Sequence, residues 1–255
     1  MKHFSIIFRH ELRMLFISPS TYVAGVIFLC LMGGMYWVAL QLSSMTDSQE
    51  QLPVEAYFYL FWIPLFILVP LITMRSFAEE RRAGTLGALL TTPTNALSIV
   101  LGKFAAAYSL YLLLWILALA FPVIGWWMLK DFCPDPRLLA LGSMIGGIVF
   151  VALSGLFYVA IGILASSLTR SMLVAGLLTS CGLFVFIVLG GLLQMLPLDV
   201  YESFAWLRAP AEYLSTFKHL ENFTTGLIDS RPFFLFFSGT ILALGLTTIN
   251  VESKA

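Results

Sequence analysis

Apolar and polar positions alternate along this chain in long blocks. Residues 3 to 17 place Phe4, Ile7, Phe8, Leu12, Leu15 and Phe16 at helical spacing with Arg9, His10 and Arg13 between them, the pattern of a helix lying in a membrane interface. Ser18-Pro19-Ser20 ends this segment, residues 1 to 20. Six apolar runs follow, at 21–42, 57–74, 106–129, 138–164, 172–195 and 233–249. Runs of this kind cross a hydrocarbon core of about 30 Å as helices. The expected fold class is therefore all-α: a polytopic membrane protein with six transmembrane helices in one membrane domain, residues 1 to 255.

The runs differ in ways that predict local structure. Pro64 and Pro70 fall inside the second, predicting one bent helix whose lost backbone bonds neighbours must replace. The stretch from Ile99 to Leu129 is too long for one straight span, so its Lys103 end reads as a helix leading into the third. In the fourth, Gly142 and Gly146 match the GxxxG spacing for close helix approach, with Gly147, Gly155 and Gly162 beyond. Residues 196 to 231 carry Tyr201, Phe204, Trp206, Tyr213, Phe217 and Phe223 among charges, which predicts short amphipathic helices at an interface.

Composition strengthens the membrane reading, with 60% hydrophobic and 11% charged residues and a mean hydropathy of +0.93, far from soluble domains. Net charge is zero, which gives no argument for a nucleic-acid partner. The distribution of charge is more informative. Nine of 14 Lys and Arg lie on the termini and on segments 75–103 and 165–171, while ten of 14 acids lie on the alternate segments. The positive-inside rule then places both termini and residues 75 to 103 in the cytoplasm, and residues 43 to 56 and 196 to 231 outside. The polar breaks at His10 and Glu11 argue against a cleaved signal peptide.

Residues 75 to 103 form the densest polar island. Arg75, Glu79 and Arg82 recur at helical spacing; Gly84 supplies a left-handed stop, Thr85 can cap a short helix over Leu86 to Leu90, and Thr92-Pro93 can start a third piece. A plain charged loop is the simpler reading; the ordered breaks argue for more. The run from Arg75 through Glu79, Glu80, Arg81, Arg82, Gly84 and Thr85 to Leu86, followed by Leu89-Leu90-Thr91-Thr92-Pro93 and Gly102-Lys103, resembles the signature of ABC-2 type permeases. The interfacial helix before the first span is similar to that family's elbow helix. The run from Ser215 to Asp229 resembles the external segment of a compact branch, similar to gliding-motility and nitrous-oxide-reductase maturation permeases. The family pattern carries a Glu where this chain has Gly87.

The resemblance implies that residues 75 to 103 hold a cytoplasmic coupling helix. Arg75, Glu79, Glu80, Arg81, Arg82, Gly84, Thr85, Leu86, Leu89 and Leu90 would meet a separate ATPase subunit, in two copies, that binds ATP and Mg. It further implies a second permease subunit, identical or paralogous, with a route between the two; Phe28, Met32, Phe184 and Phe186 on the first and fifth spans either line that seam or face lipid. A partner on the outer face and contact with membrane lipid complete the expected set. The expected site is the bacterial cytoplasmic (inner) membrane, and the expected role is the permease subunit of an exporter. A membrane scaffold without transport is the alternative.

Catalytic residues are not expected. Ser154 lies in a span while His3, His10 and His219 lie outside all six, so no Ser-His pair forms at membrane depth. The chain has no GxxxxGK[ST] loop to cradle phosphates. Its Cys, His and acidic residues are not clustered at metal-ligand spacing, and its three cysteines make no disulfide framework. With no ionisable group deep in a span, ion-coupled transport is disfavoured.

Overall fold

The computed structural model describes residues 2–45, 52–85, 95–129, 140–194, 214–227 and 229–253. Helices α1 (Lys2–Ile17) and α2 (Pro19–Met45) meet at Ser18, where Pro19 occupies the first position of α2, a place where its missing N–H costs nothing. Then come α3 (Pro53–Tyr59), α4 (Trp62–Thr73) and α5 (Ala78–Ala83). The chain continues through α6 (Ala96–Ala118), α7 (Ala120–Leu129) and α8 (Leu141–Leu168). Last are α9 (Met172–Gln194), α10 (Thr216–Thr224) and α11 (Arg231–Glu252). No strand occurs among the described residues. Among the described residues, five stretches are long and apolar enough to cross a membrane: Pro19–Leu42, Trp62–Ala83, Ala96–Leu129, Leu141–Leu168 and Arg231–Glu252. Met172–Val188 within α9 is apolar but shorter than these.

One expected span is built differently. The second is not one bent helix over 57–74: α3 begins at Pro53 and stops at Leu60–Phe61, and α4 starts anew. Pro64 has no N–H to offer the Leu60 carbonyl, which is taken instead by the Ile63 amide at 3.3 Å, a tight turn that separates the helices. The third, expected over 106–129 with a helical lead-in at Lys103, lies in a helical stretch that starts at Ala96, and Ala96–Leu129 is continuous but for a break at Leu119. Pro122 explains that break, because it cannot donate to the carbonyl of Ala118 four residues back. The Tyr57 hydroxyl donates to that carbonyl at 2.8 Å. Pro70 likewise frees the Phe66 carbonyl, toward which the Ser180 hydroxyl of α9 points at 3.5 Å. The carbonyls freed by Pro70 and Pro122 are thus each answered by a hydroxyl from another helix.

Helix α8 lies at the centre, packing against α11, α9, α10, α6 and α4. Its small residues make room: an added Cβ would strike the Phe58 ring at Gly147, the Tyr111 ring at Gly155 and Thr73 at Gly162. Of the GxxxG pair, Gly146 lies against the backbone of α10 at Phe223, whereas Gly142 has nothing within 4 Å. Helix α10 turns Thr216, His219, Leu220 and Phe223 into the bundle, so its apolar face is spent on protein rather than on lipid. The expected amphipathic helices around Tyr201, Phe204, Trp206 and Tyr213 lie outside the described residues. Phe150 of α8 stacks edge-on against Phe61, Phe223 and Phe236, which joins the α3–α4 turn, α10 and α11 to it.

Candidate functional site

One end of the bundle is polar, and the joint between α4 and the charged α5 sits in it. Helix α4 stops at Thr73 and α5 begins at Ala78, which leaves a carbonyl and two amides without partners inside either helix. Ser166, fully buried on α8, supplies them all. Its hydroxyl oxygen accepts from the Phe77 and Ala78 amides at 3.0 and 3.1 Å and donates to the Met74 carbonyl at 3.1 Å. A single α8 side chain thus caps the helix that ends and the helix that begins.

The next residue, Ser167, extends this anchorage. Its carbonyl accepts from Arg81 of α5 and, at 2.8 Å, from the Asn250 amide of α11, whose NH2 also reaches the Ser167 hydroxyl at 2.9 Å. Burial lowers the Arg81 proton affinity, and the neighbouring Arg170 guanidinium lowers it further. Arg75 lies in the turn between α4 and α5, and reaches Ser18 at the α1–α2 junction at 3.0 Å. It does not share a helix with Glu79 and Arg82, because α5 starts only at Ala78.

At the core of this end sits Lys103, two turns into α6. Its Nζ lies 2.7 Å from Glu11 Oε1 on α1 and 2.7 Å from Glu80 Oε1 on α5, with side-chain exposures of 3% for the lysine and 21% and 22% for the carboxylates. The Phe77 ring covers the ammonium at 5.3 Å from the centroid. Three donors therefore find two carboxylates and an aromatic face. Gly102 makes this possible, since a Cβ there would press to 2.7 Å from Ile7 of α1. Burial pushes the Glu80 carboxyl above its ordinary range, against the lowering pull of Lys103; Glu11 pushes it further up and His10 draws it down.

The residues expected to meet a partner thus fall into three groups. Glu80 and Arg81 face inward and are used within the chain, and Arg75, though exposed, is tied to Ser18. Glu79, Arg82, Gly84 and Thr85 are exposed. Gly84 ends α5 with φ 72° and ψ 9°, a left-handed cap that glycine takes without strain. The Thr85 hydroxyl donates back to the Glu80 carbonyl at 3.3 Å, and the short helix over Leu86 to Leu90 that it is expected to cap lies outside the described residues. Leu86, Leu89 and Leu90 lie outside the described residues. No local pattern points to Ser166, Ser167 or Asn250 as anchors. Lys103 stands out in the sequence only as part of a motif, and Glu11 only as a polar break.

Among the described residues no group of His, Cys, Asp and Glu is arranged to hold a metal ion. On the fifth span Phe184 is 52% exposed, but on the first Phe28 and Met32 are 0% exposed and belong to the chain's own core. Phe186 packs on Phe157 and Phe236. The expected apolar seam therefore cannot be lined by Phe28 and Met32.

A helical bundle with membrane-length apolar helices and a polar joint anchored after its second span defines a multi-pass membrane protein. The sequence pattern of the ABC-2 family transporter proteins matches residues 36–209, about two thirds of the chain. The chain belongs to this family. No curated protein matches it.

Proposed function

We propose that this chain is the transmembrane subunit of an ATP-driven exporter, with residues 75 to 85 receiving the motion of a separate ATPase. The observation that carries the reading is the α4–α5 joint. It is fixed from inside by Ser166 and Lys103 while Glu79, Arg82, Gly84 and Thr85 stay exposed at its surface. A push on that surface passes directly into α4, α6 and α8. ATP and Mg belong to the partner, in two copies; a second permease subunit, identical or paralogous, completes the route. The polar end and both termini lie in the cytoplasm of a bacterial inner membrane, and the α3–α10 end lies outside, as the distribution of Lys and Arg supports.

The test is the double substitution Glu79→Ala/Arg82→Ala, followed by co-purification of the partner ATPase and by its stimulation in membranes. Truncating desolvated charges at a protein interface costs about 2–5 kcal/mol, so most of the bound ATPase should be lost. Unchanged binding and unchanged stimulation would leave the surface a solvated one, where such pairs are worth about 0–1 kcal/mol.

A further inference from the structure

We infer that Lys103 is a positioning residue that latches helix α1 to helix α5, so that α1 moves with the coupling joint as one rigid body instead of floating in the membrane interface. The inference deepens the coupling reading and rests on it for its functional consequence. Helix α1 is joined to α2 through Ser18, and sequence alone describes it as an amphipathic segment held by lipid. The contacts describe something firmer. Gly102 lets the α1 backbone come down onto α6, with the Phe8 amide nitrogen 3.4 Å from where a Cβ would stand. Glu11 then reaches inward to the same Nζ that holds Glu80. Glu11 is the only acid of α1, while Arg9, His10 and Arg13 remain exposed. Arg75, bonded to Ser18 at 3.0 Å, ties the far end of α1 to the start of the same joint.

Two ties at separate points along α1 fix an orientation, which one tie would not. Motion of α5 therefore carries α1 and, through Ser18, the beginning of α2. The load reaches the first span directly, in parallel with the path through α4.

The full chain in lipid nanodiscs tests the latch. Cys30, Cys133 and Cys181 are replaced by Ser, spin labels are placed at Arg9→Cys and Ala83→Cys, both exposed positions, and the distance between them is read by pulsed electron paramagnetic resonance. A single narrow distance is expected with Lys103, its loss into a broad distribution in Lys103→Gln and in Glu11→Gln, and its return in Lys103→Arg. Should Lys103→Gln fail to insert, Glu11→Gln decides, since it keeps the Lys103–Glu80 pair. A narrow distance retained in Glu11→Gln overturns the latch. This readout needs no ATPase and so stands apart from the coupling reading, which the Glu79→Ala/Arg82→Ala pair addresses. In the complex, Glu11→Gln should retain the ATPase and lose its stimulation; full stimulation with α1 released would show that α1 carries no load.

Discussion

With one ammonium between two carboxylates, the Glu11–Lys103–Glu80 group carries a net negative charge when all three ionise, at a place where Lys103 is almost fully shielded. The second oxygen of Glu80 is buried without a partner, so ionising it gains little on that side. This fits the upward displacement of its proton affinity, caused first by burial. The sign follows from linkage: an acid that holds its proton more tightly folded than unfolded costs stability above its folded pKa, and that cost vanishes as pH falls through it. Glu80→Gln is therefore expected to be neutral or stabilising at neutral pH, with the difference from the native chain shrinking in mild acid. Lys103→Gln, which strips two partly buried carboxylates of their cation, should cost about 3–5 kcal/mol. Thermal midpoints in mild detergent, taken at both pH values, check the pair. Sequence could mark Lys103 as the end of a polar island. It could not show a contact made with Glu11, 92 positions away, because nothing local to either residue encodes the crossing of α1 over α6.

At the scale of elements, close approach depends on which glycine meets a neighbour, and GxxxG spacing alone does not say. Gly142→Ala adds a methyl where nothing lies within 4 Å, whereas at Gly146 the Cβ would overlap the Phe223 carbonyl of α10. Backbone cannot swing aside as a side chain can. Gly142→Ala should be neutral or gain up to about 1 kcal/mol of helix propensity, and Gly146→Ala should lose about 1–3 kcal/mol by overpacking; thermal midpoints of the two variants separate them. The prolines teach the complementary lesson. Kinks were legible from Pro64 and Pro70, but the partner that rescues a freed carbonyl belongs to another helix, so Tyr57 serving Ala118 across 61 positions was not. Removing that hydroxyl in Tyr57→Phe should cost about 0.5–1.5 kcal/mol. The same change in a Pro122→Ala background should cost much less, because the backbone amide restored at position 122 can then serve the Ala118 carbonyl. A double-mutant cycle on unfolding midpoints measures the difference.

For the whole molecule, the apolar runs are enough to predict an all-helical membrane bundle, since each must satisfy its own backbone in lipid. Which face of a run turns inward is harder to read. All-round hydrophobicity leaves no stripe, and only packing shows Phe28 and Met32 of α2 buried while Tyr22, Val26 and Trp37 are exposed. Helices α2 and α9 both pack on α4, and α9 likewise exposes Leu177 and Phe184. In lipid, such faces are ordinary for a monomer and are also what a second subunit would cover, so exposure alone decides nothing. Position does, because a subunit seam along α2 would bring the same exposed residues of two copies together while leaving the inward ones apart. With Cys30, Cys133 and Cys181 replaced by Ser, single cysteines at Val26→Cys and Phe28→Cys are oxidised in native membranes. A disulfide-linked dimer at 26 and none at 28 is the expected outcome if two identical chains face each other along α2. The mass of the product identifies the partner: a homodimer gives twice the chain, and a paralogous partner with a cysteine in reach gives a different sum. No product at position 26, with the ATPase present and the complex intact, would move the seam off α2 and leave the exposed face of α2 to lipid.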